Sequence, residues 1–270
     1  MSSFSWFARL LSPVLIIVFG YFLFHRNNIC TASPAKKGTV IILNGPSASG
    51  KTTLQKELQL TLDDFYMRVG VDNFFDAVLP DAIGKSMVKK ELNQIDFEYY
   101  TSKGILHDEL TRATAIFEQS DNHNILIRAG VQTTDDTGKP LFVLIVGPQG
   151  EDAIKGMHRA IAAYAHAGYN VIVDYILYEQ IWLKDLTCVL KDLNVYFIGV
   201  DIPLDILEER EKARATSPVG HARSHYNTVH QDCIYDYRVD TSKLSTIQAA
   251  AEIKQFIQQN KNPIAFAKNR

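Results

Sequence analysis

Residues 45–52, GPSASGKT, constrain the fold of this chain more than any other part of its sequence. They match the pattern G-x-x-x-x-G-K-[ST] in full, in which small residues let a loop wrap around phosphate oxygens. The β-branched run Gly38–Leu43 precedes the loop, and Thr52–Thr61 has a composition typical of a helix. The sequence therefore predicts a buried strand, a phosphate-binding loop and a helix, with backbone N–H groups at the helix start facing an anion.

This loop predicts ATP and Mg²⁺ as cofactors. Lys51 is placed to reach the β- and γ-phosphates, and the Thr52 hydroxyl is placed to bind Mg²⁺. The predicted nucleotide contacts are Gly45, Pro46, Ser47, Ala48, Ser49, Gly50, Lys51, Thr52 and Thr53. A chance match is the alternative, and the position of the octet between a strand and a helix argues against it.

Strand and helix patterns alternate after the loop. Further strands are predicted at Tyr66–Asp72, Asn170–Tyr175, Val195–Val200 and ending at Asp240, and helices at Ala153–Ala167, Ile181–Leu193, Leu204–Arg214 and Ser245–Asn260. This alternation predicts an α/β fold of the P-loop kinase type, with a parallel sheet of about five strands and helices on both faces.

The stretch from about residue 81 to 146 interrupts this rhythm. It contains a predicted helix, Leu106–Gln119, and a predicted hairpin around Asp135–Lys139, DDTGK. We interpret it as an insertion over the active face, and a surface excursion without function is the alternative.

Two aspartates stand at predicted strand ends, where ligands bind in open parallel sheets. Asp72 is a candidate general base toward an acceptor hydroxyl, or alternatively the N-cap of a helix that begins at Asn73. Asp174 ends the run Val171–Val173 and is a candidate Mg²⁺ ligand, with a cap or turn residue as the alternative.

Arg210 and Arg214 are four residues apart and so share one helix face. They are candidate ligands of the transferring phosphoryl group, carried on a lid. The alternative is a solvated face on which they pair with Glu209 and Glu211. His230 is a further catalytic candidate, although a hydrogen-bonded structural histidine is the more common situation.

The composition limits the kinds of partner that we expect for this chain. With 28 Lys+Arg against 30 Asp+Glu the net charge is −2, which gives no reason to propose nucleic acid as a partner. The three cysteines are scattered, at positions 30, 188 and 233, and predict a reducing compartment. A small molecule with a hydroxyl group is the expected acceptor.

The N-terminus predicts a membrane segment. Leu10–Phe24 is apolar and uncharged, and a polar linker, residues 27–37, follows it. A signal anchor in residues 1–26 is the favoured interpretation; a cleaved signal peptide and a buried helix are the alternatives. We expect a membrane-anchored protein with a cytoplasmic catalytic domain at 38–265, or an exported protein if the signal is cleaved.

Taken in order, several short segments resemble those of the chloramphenicol phosphotransferase family. They are Val40–Gly45 leading into the phosphate loop, Gly70–Asp72, Gly147-Pro148, Val171–Asp174, Ile198–Val200, Arg210–Arg214, Val229-His230 and Tyr235–Thr241. The resemblance implies ATP-dependent phosphorylation of a hydroxyl, with Asp72 as general base and Arg210 and Arg214 as phosphate ligands. It also implies a chloramphenicol-like acceptor and a link to antibiotic resistance.

Two other functions remain open on the sequence. One is a zeta-toxin-like kinase of a nucleotide sugar, which shares the phosphate loop and a carboxylate after the second strand. The other is a membrane-tethered nucleotide-binding switch that hydrolyses slowly. The guanine-specificity motif Asn-Lys-x-Asp, which would support a GTPase switch, is absent from the sequence.

Overall fold

The computed structural model describes residues 36–78, 128–146, 148–214 and 218–269. The strands within these ranges are β1 (Thr39–Asn44), β2 (Tyr66–Gly70), β3 (Arg128–Thr134), β4 (Pro140–Val146), β5 (Asn170–Tyr175), β6 (Asn194–Asp201) and β7 (Tyr237–Asp240). The α-helices are α1 (Lys51–Thr61), α2 (Val71–Val78), α3 (Pro148–His166), α4 (Gln180–Val189), α5 (Leu204–Arg214), α6 (His221–Ser224) and α7 (Thr246–Gln259). A short 3₁₀ helix covers Phe266–Asn269.

Five strands form one parallel sheet in the order β2-β5-β1-β6-β7. The central strand β1 pairs with β5 and β6, so that Val40 lies opposite Val171 on one side and Val195 on the other. The outer pairs, β2 with β5 and β6 with β7, are parallel as well. The predicted α/β fold with a parallel sheet of about five strands is confirmed.

Both faces of the sheet are covered. Val40 and Ile42 of β1 belong to the core cluster that includes residues of α3 and α4. Ile41 and Leu43 belong to a second cluster, which includes residues of α1 and α7. All four side chains are fully buried, which explains why the strand reads as a continuous apolar run rather than as an alternating one.

Some element boundaries differ from the predictions. Strand β2 ends at Gly70 and helix α2 begins at Val71, so the prediction that the strand extends to Asp72 is wrong. Helix α3 begins at Pro148, before Ala153, because proline is well tolerated in the first turn of a helix. Helix α4 ends at Val189, before Leu193, where the Leu190 N–H makes the last bond, to the Leu186 carbonyl.

The stretch that we interpret as an insertion contains a hairpin. Strands β3 and β4 pair antiparallel across the turn at Asp135–Lys139, which confirms the predicted hairpin. Asp135 Oδ1 accepts hydrogen bonds from the N–H groups of Thr137 and Lys139, both at 2.9 Å. The predicted helix Leu106–Gln119 lies outside the described residues.

The predicted localisation, membrane-anchored with a cytoplasmic catalytic domain, is contradicted. In the part of the chain that the structure describes, no helix combines the length and the apolar character that a bilayer crossing requires. The longest helix there, α3, carries charged residues such as Glu151, Lys155 and Arg159 along its 19 residues, whereas a span needs about 20 predominantly apolar ones. The run Leu10–Phe24 itself lies outside the described residues.

Candidate active site

The phosphate loop joins β1 to α1 through a tight backbone path. A Cβ atom on Gly45 would lie 2.5 Å from the Val200 carbonyl oxygen, so only glycine fits against the neighbouring strand. Ala48 and Gly50 have φ angles of 62° and 92°, in the left-handed region that favours glycine. The loop therefore turns tightly directly before Lys51. Helix α1 begins there, and the first N–H groups of a helix have no partner within the helix and can bind an anion.

Lys51 is the cation at the centre of the loop. Its side chain is only 4% exposed, and its Nζ donates to the Pro46 carbonyl at 2.7 Å. Burial lowers the pKa of this ammonium, while the carboxylates of Asp174 and Asp72 act in the opposite direction and Arg214 lowers it further. An ammonium carries three donors, so Lys51 can still bind phosphate oxygens while it keeps its bond to Pro46.

Asp174 and Thr52 meet beside this lysine. The Thr52 hydroxyl donates to Asp174 Oδ2 at 2.5 Å, and Asp174 Oδ1 is 3.9 Å from Lys51 Nζ. A hydroxyl and a single carboxylate suit Mg²⁺, which usually takes one or two carboxylates and completes its shell with phosphate and water oxygens. Within the described ranges no group of three or more His, Cys, Asp or Glu side chains is arranged to hold a metal by itself. Thr53, next along α1, is exposed.

Asp72 lies at the same edge of the sheet. It is an exposed residue of the first turn of α2, directly after β2, and its charge acts on Lys51. Because the helix begins at Val71, Asp72 is inside it rather than at the N-cap of a helix starting at Asn73. The structure thus brings Asp72, Lys51, Thr52 and Asp174 to one edge, as the sequence predicted.

The two arginines of α5 have different surroundings. Arg210 donates to the Thr241 carbonyl at 2.7 Å and to the Thr241 hydroxyl at 3.1 Å, and that hydroxyl in turn lies 2.8 Å from the Ser49 carbonyl, to which it donates. Arg214 is exposed at the end of the helix, and its charge lowers the pKa of Lys51. Arg210 therefore holds the loop after β7 against the phosphate loop, while Arg214 is the less constrained of the two.

Glu211, which in the alternative interpretation pairs with these arginines on a solvated face, is buried instead. It is 2% exposed and accepts hydrogen bonds from the N–H groups of Gly220 at 2.7 Å and Ala222 at 2.6 Å. A carboxylate buried in this way is stabilised by the backbone dipoles that it binds.

Sequence reasoning missed two polar residues that support the loop. Asn44, fully buried at the end of β1, donates to the Val229 carbonyl at 2.8 Å and to the Tyr235 hydroxyl at 2.7 Å. His225 accepts a hydrogen bond from the Ser47 N–H at 3.0 Å through its Nε2. A polar residue at the end of an apolar strand is the signal that could have revealed Asn44, and no local pattern marks His225.

His230 has the environment of a hydrogen-bonded structural histidine. Its Nδ1 is 2.7 Å from the Tyr235 hydroxyl, and its Nε2 is 3.5 Å from Asp201 Oδ1. Burial lowers the pKa of His230 to about 4, although the nearby Asp201 raises it. The imidazole is therefore neutral near pH 7, and its Nδ1 can accept the hydrogen bond of the Tyr235 hydroxyl.

Comparisons with known proteins point to one family. The model of the family described as "Chloramphenicol phosphotransferase-like protein" matches residues 38–258. Two Mycobacterium tuberculosis proteins, from strains CDC 1551 / Oshkosh and ATCC 25618 / H37Rv, carry the name "Putative O-phosphotransferase". Each is 26% identical over 245 residues, which cover 91% of this chain and 93% of the relative.

Among solved structures, the M. tuberculosis APS kinase CysC in complex with AMPPNP and APS is similar. Its TM-score is 0.48 at 15% identity, over 82% of this chain and 98% of that chain. A likeness of this size carries no argument about substrate. The family match and the named relatives support a phosphotransferase and leave its acceptor unassigned.

Proposed function

The chain belongs to the chloramphenicol phosphotransferase-like family, and on that premise we propose that it is a kinase that transfers the γ-phosphate of ATP to a hydroxyl group of a small molecule. The catalytic domain would extend over residues 38–265. The observation that carries the proposal is the cluster at the carboxyl edge of the sheet, where Asp174 lies 2.5 Å from the Thr52 hydroxyl and 3.9 Å from Lys51 Nζ beside the phosphate loop.

The residues present fit ATP and Mg²⁺. The N–H groups at the start of α1 and the buried Lys51 would bind the triphosphate, and Thr52 and Asp174 would hold the cation. Mg²⁺, when bound, would neutralise charge on the phosphate oxygens. Catalysis would depend on the positioning of the two substrates and on fixed charges, because the protein forms no covalent bond in direct phosphoryl transfer.

The remaining charged side chains near the loop would have separate roles in the transfer. Asp72, exposed beside the loop, would accept the proton of the acceptor hydroxyl as it attacks. Arg214 would approach the transferring group from the end of α5, and Arg210 would stabilise the loop that contacts Ser49. The negative charges of Asp174 and, to a smaller extent, Asp72 favour the charged form of Lys51.

The acceptor would be a small molecule whose hydroxyl group lies beside Asp72. Chloramphenicol is one candidate, on the strength of the family alone. The test is incubation of the full chain with γ-labelled ATP, Mg²⁺ and a panel of hydroxyl metabolites and antibiotics that includes chloramphenicol. We expect label on one class of acceptor at a rate well above its release to water; release to water alone would contradict a kinase and favour a nucleotide switch.

A further inference from the structure

Residues 218–225, which we call the bridge segment, lie against the inserted hairpin at one end. The Phe142 N–H of β4 donates to the Gly220 carbonyl at 3.1 Å. The backbones approach so closely that a Cβ on Gly220 would lie 2.3 Å from the Pro140 carbonyl oxygen. In addition, Arg223 Nη1 is 3.3 Å from Asp135 Oδ2 in the hairpin turn.

The bridge segment is also fixed to helix α5. The buried carboxylate of Glu211 binds two of its N–H groups, and Arg223 forms an ion pair with Glu208 on the same helix. Arg223 is 15% exposed, so this pair is better shielded from water than a typical surface pair. The segment thus has fixed contacts to the helix that carries Arg210 and Arg214.

At its other end the bridge segment reaches the phosphate loop. His225 is 4% exposed and accepts the Ser47 N–H at 3.0 Å. Its ring packs against those of Tyr178 and His221, with centroid distances of 4.8 Å and 5.0 Å, which fix its orientation. Burial holds the pKa of His225 well below the usual value, with His221 and Lys51 lowering it further, so Nε2 stays an acceptor.

We infer that the bridge segment fixes the phosphate loop relative to the inserted hairpin, with His225 as a positioning residue for nucleotide binding. Without its acceptor the Ser47 N–H would be buried and unsatisfied, and the loop would have to shift to reach another partner. The Arg223–Asp135 pair anchors the bridge segment to the hairpin. This inference rests on the proposed function, because it assumes that the loop binds ATP, and it links the inserted stretch to that site.

The first test measures the affinity of the full chain for the analogue AMP-PNP with Mg²⁺. His225→Leu removes the acceptor while it keeps a large apolar side chain, and we expect the dissociation constant to rise about tenfold. His225→Gln places its Oε1 near the position of Nε2, and we expect it to restore affinity to within about threefold of the parent. If the His225 side chain only filled space, the leucine variant would bind AMP-PNP more tightly than the glutamine variant.

The second test asks whether the hairpin acts through the same contact. Asp135→Asn keeps the Oδ1 that closes the turn and removes the negative charge that faces Arg223. We expect it to weaken AMP-PNP binding about threefold in the parent and to have no further effect in the His225→Leu background, since coupled residues are not additive. The control is Thr137→Ala, which alters the same turn without touching Arg223.

Three results would overturn the inference alone: a glutamine variant as weak as the leucine variant, an Asp135→Asn effect that adds fully to that of His225→Leu, or a Thr137→Ala effect equal to that of Asp135→Asn. In each of these, the parent still binds AMP-PNP and the proposed function stands. A parent chain that binds no AMP-PNP with Mg²⁺ would overturn both.

Discussion

At the scale of single residues, Lys51 and Asp72 carry different parts of the proposed chemistry. Lys51 is buried at the phosphate loop and bonded to Pro46, whereas Asp72 is exposed at the start of α2. The first would contact the nucleotide and the second the acceptor. Substitutions at the two positions should therefore affect different kinetic steps.

Lys51→Ala should abolish phosphoryl transfer, because it removes the one cation buried within the described part of the phosphate loop. The rate of label transfer from ATP measures this, and the circular dichroism spectrum checks the fold. The control is Lys56→Ala on the same helix, an exposed position. Activity of Lys51→Ala within about tenfold of the parent, or about 1.4 kcal/mol of barrier, would locate the chemistry elsewhere.

Asp72→Asn should lower kcat by roughly 10²–10⁴-fold and leave the affinity for AMP-PNP almost unchanged, because in the proposed mechanism Asp72 acts on the acceptor and not on the triphosphate. Asparagine keeps the shape of the side chain, so the melting temperature should hardly move. Turnover on the identified acceptor and the melting temperature are measured together, beside the exposed control Asp64→Asn. A stable Asp72→Asn enzyme with parental turnover would remove Asp72 from the mechanism.

At the scale of elements, the sequence predicted the strands and helices that have a strong local signal. Strand β5 and helix α5 have the predicted boundaries, since an apolar run marks the strand, and an acidic first turn and a basic last turn mark the helix. The prediction extends strand β2 too far because an apolar residue such as Val71 is compatible with the end of a strand and with the start of a helix. Local periodicity cannot separate these cases.

The supporting contacts of the site were less predictable from the sequence. The phosphate loop, Asp72 and Asp174 can be proposed from the sequence because their spacing to a strand end is a sequence property. The roles of Glu211 and His225 depend on backbone N–H groups of Gly220, Ala222 and Ser47, and those contacts arise only from the tertiary fold. A glutamate beside two arginines looks like a surface charge until the segment after the helix is in place.

Gly220→Ala should destabilise the junction between the bridge segment and β4. Gly220 has a φ of 92°, and an added Cβ would lie 2.3 Å from the Pro140 oxygen, so both strain and a backbone clash result. We expect a loss of about 2 kcal/mol or more in the free energy of unfolding, measured in urea. Gly156→Ala is the matched control, because a Cβ there meets nothing within 4 Å and the site is helical, so it should be neutral or stabilise by up to about 1 kcal/mol.

At the scale of the whole molecule, burial holds the pKa of three histidines low among the residues that the structure describes. His158 lies between Asp185 at 2.6 Å and the Tyr175 hydroxyl at 2.8 Å, His225 lies under the phosphate loop, and His230 contacts Tyr235. Burial is the largest cause of the lowered pKa in all three. The fold therefore holds these rings neutral at a pH at which the unfolded chain would protonate them.

The free energy of unfolding should fall as the pH drops below about 6.5, the ordinary histidine pKa. The unfolded chain then binds more protons than the folded one, which lowers stability on acidification by up to about 1.4 kcal/mol per pH unit for each such histidine. For His230 the loss continues down to its folded pKa of about 4. Urea unfolding at several pH values measures the slope.

His230→Asn should make that slope shallower than in the parent between about pH 4 and 6.5. A variant whose slope equals that of the parent over this range would contradict the assignment of acid sensitivity to His230.

The central position of β1 has a consequence for how the protein is made. Its partner strands begin at residues 170 and 194. Strand β1 therefore cannot pair until Val171, the partner of Val40, has been synthesised about 130 residues later. At a synthesis rate of about 5–20 residues per second, an apolar strand stays unpaired for roughly 6 to 26 s after it is made. Slower translation lengthens this interval, and with it the time during which nascent chains can associate through β1 or be captured by a chaperone.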